Sequence, residues 1–430
     1  MEPIIETEKN EQLPGQVLPK PFEVLSNILQ RTNNHKNNPH LCNLLICESN
    51  LNLTCEAYAG KQWGYTEVFD HGENDENGKY KTLTKNRTMA TQAITLMVVS
   101  LESNWKLPVG LLFTDSSIET PLASTIEVYL TKLNSIGIKT ISISLDLLSN
   151  LKHTLLTQLG FDIDHMELNK TTFKSYFRHP VCGNIYIYFE LPPLINHICN
   201  CWKWEKCLKH KDNGIYYSFI NHVKNLQIVK NILTESEYKK RKIINDWYII
   251  QRRIIYNDNA ISKTVADALT YLKDMDYPTI DGCGPTIHFI RVMDCLSNFS
   301  NNSIHSKSSV YNMDPNYESS WMPVLENIIA YIKDIRKMYH NDDAQLQFIN
   351  SIRGIIISLT SLIEIYKNYF KTEKQESLIQ YSLYKRLALS NMSYKMSILS
   401  IKWSALEMYK RIKALSETPQ KIFDDEDIKA

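Results

Sequence analysis

The sequence predicts an α/β fold, a mixed sheet with flanking helices that is interrupted by a large, mostly helical region. Three observations carry this expectation. Short apolar runs bounded by turn residues fill positions 43–190, apolar residues at helical spacing separate some of those runs, and after Leu191 the strand signal gives way to helical periodicity.

The first 40 residues mix Pro, Asn, Lys and Glu and end in Arg31-Thr-Asn-Asn-His-Lys-Asn-Asn-Pro39, so they read as an arm or linker. Residues 44–46, 64–69, 94–101 and 107–113 read as strands, with the polar stretch 70–79 as the turn between the second and third. A helix follows Thr120-Pro121, with Leu122, Ile126, Tyr129, Leu130 and Leu133 on one face and Pro at a position where its fixed φ suits a helix start. The alternating Thr140-Ile-Ser-Ile-Ser-Leu-Asp146 is a strand, 147–159 a helix, and Asn184-Ile-Tyr-Ile-Tyr-Phe-Glu190 another strand. Beyond about 200, Ile328, Tyr331, Ile332, Ile335 and Tyr339 exemplify the helical spacing, broken by a polar loop at 298–309. The resulting division is an arm at 1–40, the first part of an α/β core at 41–200, a helical insertion at 201–345, helices closing the core at 346–402, and a C-terminal helix with an acidic tail at 403–430.

Composition sets limits on function. The 430 residues carry 48 Lys+Arg against 47 Asp+Glu and are 43% hydrophobic, which supplies real cores and excludes a uniformly basic nucleic-acid coat. With 13 Gly and neither G-x-G-x-x-G nor G-x-x-x-x-G-K-[ST], Gly-rich phosphate loops are not expected. The polar, acidic start shows no basic region followed by an apolar run, so no secretory signal is read, and the expectation is a protein made in the cytosol. The run 354–363 is interrupted by Ser and Thr and falls short of the roughly 20 residues of a spanning helix, so no membrane association is expected. Nine Cys, an odd number, point to free or buried thiols rather than a disulfide framework.

Five blocks in order resemble the P-element family of DNA transposases and their THAP-type relatives. They are Ser103-Asn-Trp-Lys-Leu-Pro-Val-Gly110, then Phe173-Lys-Ser-Tyr-Phe-Arg-His-Pro180 with Ile185-Tyr-Ile-Tyr-Phe-Glu190, then Ser262-Lys-Thr-Val-Ala-Asp-Ala-Leu269, Gly284-Pro-Thr-Ile-His-Phe-Ile-Arg291 and Ile352-Arg-Gly-Ile-Ile-Ile-Ser-Leu-Thr-Ser-Leu362. The resemblance covers roughly 41–402. It implies an RNase H-like core interrupted by a GTP-binding helical insertion, divalent metals (Mg2+), and cleavage and rejoining of DNA. Three carboxylates would hold two hard cations that activate the attacking group and stabilise the leaving oxygen.

Carried over residue by residue, the family's first acid falls on Cys47 in Leu44-Leu-Ile-Cys-Glu-Ser49. The neighbouring Glu48 is a poor substitute, because consecutive strand residues point to opposite faces. The second acid is retained as Asp146. The third, borne on a helix in the family, falls on Lys395 in Leu389-Ser-Asn-Met-Ser-Tyr-Lys-Met-Ser-Ile398. A Glu-to-Lys change alters the site by two charges, at roughly 4 kcal/mol per unit pair about 4 Å apart near an effective dielectric of 20, and a thiol is a soft ligand that does not restore a magnesium site. The expectation is a degenerate transposase with no cofactor, in the nucleus or alternatively the cytoplasm, retaining at most binding to DNA, to protein partners or to itself. The alternatives are an active metal-dependent nuclease with Asp70, Asp146 and Glu190 as a shifted acidic set, and a decayed reading frame. The family's zinc-binding THAP module is not found, the first cysteine being Cys42.

Two further groups stand out. His197, Cys201, Cys207 and His210 fall in HICNCWKWEKCLKH; on one helix the first two would share a face and so would the last two, which makes them a candidate zinc cluster against the plainer reading of thiols on an amphipathic helix. Lys239, Lys240, Arg241 and Lys242 are the most basic run, a phosphate-contact or import-signal candidate against the plainer reading of a solvated helix face.

Overall fold

The computed structural model describes residues 18, 21–32, 39–59, 61–66, 69–70, 88–115, 122–145, 150–163, 174–223, 261–301, 318–337, 342–371, 383–387 and 403–422. The chain forms two compact units, one from Met1–His165, Lys174–Tyr188 and Ile365–Ala430, the other from Met166–Phe173 and Phe189–Glu364.

The first unit opens with a helix, α1 (Pro21–Thr32), where an arm was expected. Averaged over 40 residues the composition is polar, but Leu25 and Leu29 sit four apart and are buried, and the Phe22 ring lies 6.0 Å from that of Tyr129. The strands are β1 (His40–Asn50), β2 (Glu56–Tyr58), β3 (Lys61–Trp63), β4 (Phe69–Asp70), β5 (Gln92–Ser100), β6 (Lys106–Thr114), β7 (Ile138–Leu145), β8 (Tyr176–His179) and β9 (Gly183–Phe189). Six of them make a mixed sheet in the order β6-β5-β1-β7-β9-β8, antiparallel across β6, β5 and β1 and parallel between β1 and β7. The short β2, β3 and β4 form a separate sheet; of the expected strand at 64–69, Phe69 lies on β4, Tyr65 makes only an isolated bridge with Met89, and 67–68 lie outside the described residues.

In β7 both alternating sets are buried, Ile141, Ile143 and Leu145 on one face and Thr140, Ser142 and Ser144 on the other, as a central strand requires. Pro108 is tolerated because β6 is an edge strand and bulges there, Leu96 facing Gly110 while Met97 faces Pro108. Gly110 is needed for close approach: a Cβ there would meet Tyr129 Oη at 2.9 Å and Leu96 Cδ1 at 3.0 Å. Tyr129 belongs to the crossing helix α2 (Leu122–Ser135), and α3 (Asn150–Gln158) follows β7.

The second unit holds α4 (Leu191–Glu205), β10 (Cys207–His210), β11 (Asn213–Tyr216), α5 (Lys263–Asp274), α6 (Gly284–Asn301), α7 (Glu318–Lys333) and β12 (Ile335–Lys337). It is helical as expected but contains a three-stranded sheet, β11-β10-β12, that helical spacing alone did not reveal. Ile335 continues the i, i+3, i+4 pattern of α7 yet lies on β12, where pairing with β10 outweighs the local period. Trp202 is fully buried, donates from Nε1 to Ile215 O at 3.1 Å, and meets Tyr217 and Phe289 edge-on. Within the Ser262–Leu269 block, Ser262 caps α5 by accepting from Val265 N, while Val265, Ala266 and Leu269 are buried.

The long helix α8 (Asp342–Ile365) continues as a π-helical turn through Phe370. By length and hydropathy the stretch Gln345–Phe370 could cross a membrane, contrary to the sequence expectation, but 72% of its apolar window is buried within the protein, the pattern of a core helix. Among the described residues, two more helices belong to the first unit: α9 (Leu383–Leu387) and α10 (Ala405–Ser416), the latter opened by a capping box between Ser404 and Glu407. Ala405, Leu406, Met408 and Ile412 of α10 pack with Trp63, Ala93, Leu111 and Phe113.

Candidate active site

Cys47 lies on β1 beside Thr95 of β5. The last registered pair between β1 and β7 is Ile46 with Leu145, the residues just before Cys47 and Asp146. Asp146 and Lys395 themselves lie outside the described residues. The Cys47 thiol packs, together with Ile422, against Leu45, Met97 and Val99, and it approaches the Glu48 carbonyl oxygen at 3.9 Å. Glu48 is the next residue along the strand and takes the opposite face. A soft thiol packed with Leu45, Met97 and Val99 is a poor substitute for a carboxylate toward a hard divalent cation, which prefers charged oxygen ligands.

Of the alternative acids, Asp70 closes β4 in register with Lys61, on the small sheet and not on the six-stranded one. Glu190 is the N-cap of α4 and belongs to the second unit. A carboxylate at a helix N-terminus has a structural reason of its own in the helix dipole.

The His and Cys cluster divides. His197 and Cys201 share one face of α4, Cys201 Sγ and His197 Nε2 being 3.5 Å apart. The helix ends at Glu205 because Lys206 adopts a left-handed conformation with φ 65°, and Cys207 and His210 then lie on β10. Neither therefore occupies a helix face, which corrects the expected second pair. Cys207 is buried with its thiol 3.3 Å from Leu208 O, and the His210 ring stacks on Tyr331 at 4.1 Å. Among the described residues no group of three or more His, Cys, Asp or Glu could hold a metal ion.

The environment of His197 is half-buried and close to a cation. Burial lowers its pKa, and the nearby Lys337 cation lowers it further. Lys337 reaches in from β12 and its ammonium, almost wholly buried, pairs with Glu205 Oε1 at 2.8 Å. Burial also raises the Cys201 thiol, against the opposing pull of Lys337. A neutral imidazole beside a protonated thiol is the outcome, an arrangement without an activated nucleophile.

Elsewhere in this unit the Tyr331 hydroxyl is buried with no hydrogen-bond partner among the described residues, and the His288 ring meets the Tyr331 ring edge-on at 4.7 Å. These residues can offer a hydroxyl and imidazoles to a polar ligand, and no Gly-rich phosphate loop accompanies them. The basic run Lys239, Lys240, Arg241 and Lys242 lies outside the described residues. Sequence reasoning passed over Lys410, Arg411 and Lys413 on α10. Their signal was three cations in four positions beside Trp403 and Tyr409, too short a run to stand out before folding supplied the rings beneath them.

Comparison with known proteins agrees with this architecture. A family model described as the TNP-like RNase H N-terminal domain matches residues 21–160, beginning where α1 begins, and one described as the TNP-like GTP-binding insertion domain matches 194–312. The human DNA transposase THAP9 is 22% identical over 290 residues, which is 65% of this chain and 30% of that relative; the chain thus spans under a third of the relative's length. In fold, the chain is similar to the Drosophila P element transposase strand transfer complex, with a TM-score of 0.60 at 17% identity over 90% of this chain and 78% of the other. The six-stranded mixed sheet is thus RNase H-like and is joined to a helical insertion. Consecutive matches to both domains, in the order of the sequence blocks, lead to one conclusion: the chain belongs to the P-element and THAP-type transposase family.

Proposed function

We propose that this protein is a transposase-derived DNA-binding protein in which metal-dependent strand cleavage has been lost. The observation that carries the reading is Cys47. By the resemblance it stands where the family's first strand acid falls, and a thiol packed with Leu45, Met97 and Val99 supplies no carboxylate there. The substitution at Lys395 supports the same reading from sequence, since an ammonium among metal ligands opposes a divalent cation. DNA is the partner that the family implies for the retained activity. A nuclear location belongs to the same proposal; the reading includes no cofactor, and guanine nucleotide in the insertion is implied by the family alone.

The test is a strand-transfer and nicking assay on duplex DNA with Mg2+ or Mn2+, using the full chain and an Asp146→Ala control. No metal-dependent product is expected. Cleavage that Asp146→Ala abolishes would overturn the reading in favour of a shifted acidic set. Titration of a fluorescent GTP analogue and imaging of the tagged protein in cells check the nucleotide and the location separately.

A further inference from the structure

The strongest unexplained feature of the first unit is the outward side of α10. Its inward side, Ala405, Leu406, Met408 and Ile412, is buried against the sheets. On the other side, within a single turn, stand three cations, and each is seated over an aromatic ring. The Arg411 guanidinium carbon lies 3.6 Å from the Trp403 ring centre, Lys410 Nζ lies 4.4 Å from that of Tyr58, and Lys413 Nζ lies 6.0 Å from that of Tyr409.

The rings rest on a rigid base. Tyr409 stacks on the buried Trp63 at 4.1 Å, and Trp63 meets Phe113 edge-on at 6.2 Å. Trp403 is tied to the strand side by the bond from Asn52 N to its carbonyl oxygen, at 2.9 Å. Tyr58 comes from β2, whose hairpin partner β3 adds the exposed Lys61 to the same sheet.

Among the described residues no carboxylate comes within ion-pair distance of Lys410, Arg411 or Lys413. The acid nearest in sequence, Glu407, is turned back to the helix start, where its carboxylate accepts from Ser404 N at 3.0 Å. An ordinary solvated helix face carries long, mobile cations paired with acids three or four positions away. Here the cations are held in place by cation–π contacts instead, so part of their ordering entropy is already lost before anything binds.

We propose that α10 and the β2–β3–β4 sheet form a surface that grips the phosphate backbone of duplex DNA without reading its sequence. A guanidinium stacked face-on over indole keeps its in-plane N–H donors directed outward, the geometry that suits a phosphate's paired oxygens. The cations occupy the ring faces, which leaves those faces closed to stacked bases, so the contact is to the backbone of a duplex rather than to splayed single-stranded bases. Closely spaced positive charge matches the high linear charge density of double-stranded DNA.

The inference deepens the proposed DNA binding and rests on it. The test uses the full chain and a fluorescent duplex of random sequence, with affinity measured by anisotropy between about 50 and 200 mM salt. Two variants are compared: the reversal K410E/R411E/K413E and the neutral K410Q/R411Q/K413Q, with near-ultraviolet circular dichroism reporting the fold. A control reverses three other exposed lysines, K132E/K203E/K209E, to separate this surface from net charge. At about 0.9 per phosphate contact, the neutral triple variant is expected to reduce the slope of log affinity against log salt by about 3, and to weaken binding at least about tenfold. The control should leave the slope unchanged. If the reversal fails to fold, the neutral variant decides. Duplex binding with an unchanged slope in a folded neutral variant overturns the surface while leaving DNA binding intact. Preference for single-stranded DNA or for RNA overturns the commitment to a duplex backbone. Absence of any binding by the unmodified chain removes the underlying function and the surface together.

Discussion

Asn43, fully buried on the central strand β1, donates from its amide nitrogen to Ser144 Oγ on the neighbouring β7 at 2.9 Å. The same nitrogen reaches Arg386 O at 3.3 Å, and Ser142 Oγ donates to Asn43 Oδ1 at 2.8 Å. The bulge that sets Cys42 opposite Thr140 but Asn43 opposite Ser142 brings both serines within reach of one amide. Asn43→Leu strands two hydroxyls and a carbonyl in a dry interior and is expected to cost about 2–4 kcal/mol, read from urea unfolding. Adding Ser142→Ala and Ser144→Ala should restore a substantial part of it, which a purely steric effect of Leu would not permit.

The Glu205–Lys337 pair gives a second expectation. Lys337 has almost no exposed side chain, so Glu205→Ala leaves a cation buried without its partner and should cost about 3 kcal/mol. The double change Glu205→Leu with Lys337→Met should come out closer to the unmodified protein than either single truncation. A double-mutant cycle followed by chemical denaturation measures the coupling.

Gly354 on α8 lies against Leu194 of α4. A Cβ there would lie 2.9 Å from Leu194 Cδ1 and 3.7 Å from Phe189 Cδ2, in a site whose side chains are fully buried. Ser358, one turn along, already fastens this helix by accepting from Phe189 N at 2.7 Å and donating to Phe189 O at 2.9 Å, so α8 has little room to retreat. Gly354→Ala is expected to destabilise by about 1–3 kcal/mol despite its better helix propensity, and Leu194→Val in the same chain should relieve part of that loss in thermal melting.

Acid sensitivity follows from His197. Burial, and secondarily the Lys337 charge, hold its folded pKa below the ordinary 6.5. As pH falls through 6.5 the unfolded chain therefore takes up its proton first, so folding stability declines below that point and levels off only once the folded pKa is passed. His197→Asn should flatten this decline below about pH 6.5 in urea titrations. Burial lowers His179 and His210 in the same direction, so a residual slope should persist in the variant.

Much of the architecture was legible from local pattern. The strands around Leu44, Ile94, Leu107, Ile141 and Ile185 and the helix at 122–135 were found because each strand's apolar run is bounded by turn residues and the helix keeps an apolar stripe. The misses share a different cause. α1 was hidden by averaging over polar neighbours, and β10 and β12 are four- and three-residue strands whose existence depends on pairing between segments more than 120 positions apart. A strand that short has no period of its own to detect.

The site divides in the same way. That position 47 holds a thiol and position 395 an ammonium is a property of the sequence alone, and no folding changes it. The membership of the chain in its family was equally legible, in blocks whose order survives at 22% identity to a relative. Folding decided what surrounds those positions. Leu45, Met97 and Val99 come from two strands to make Cys47's setting apolar, a left-handed Lys206 separates Cys207 and His210 from the helix that carries His197 and Cys201, and Tyr58 arrives from about 350 residues away to seat Lys410. Residue identity sets which charges and ligands a chain possesses; burial and long-range pairing, which no local period encodes, set which of them meet and in what dielectric they act.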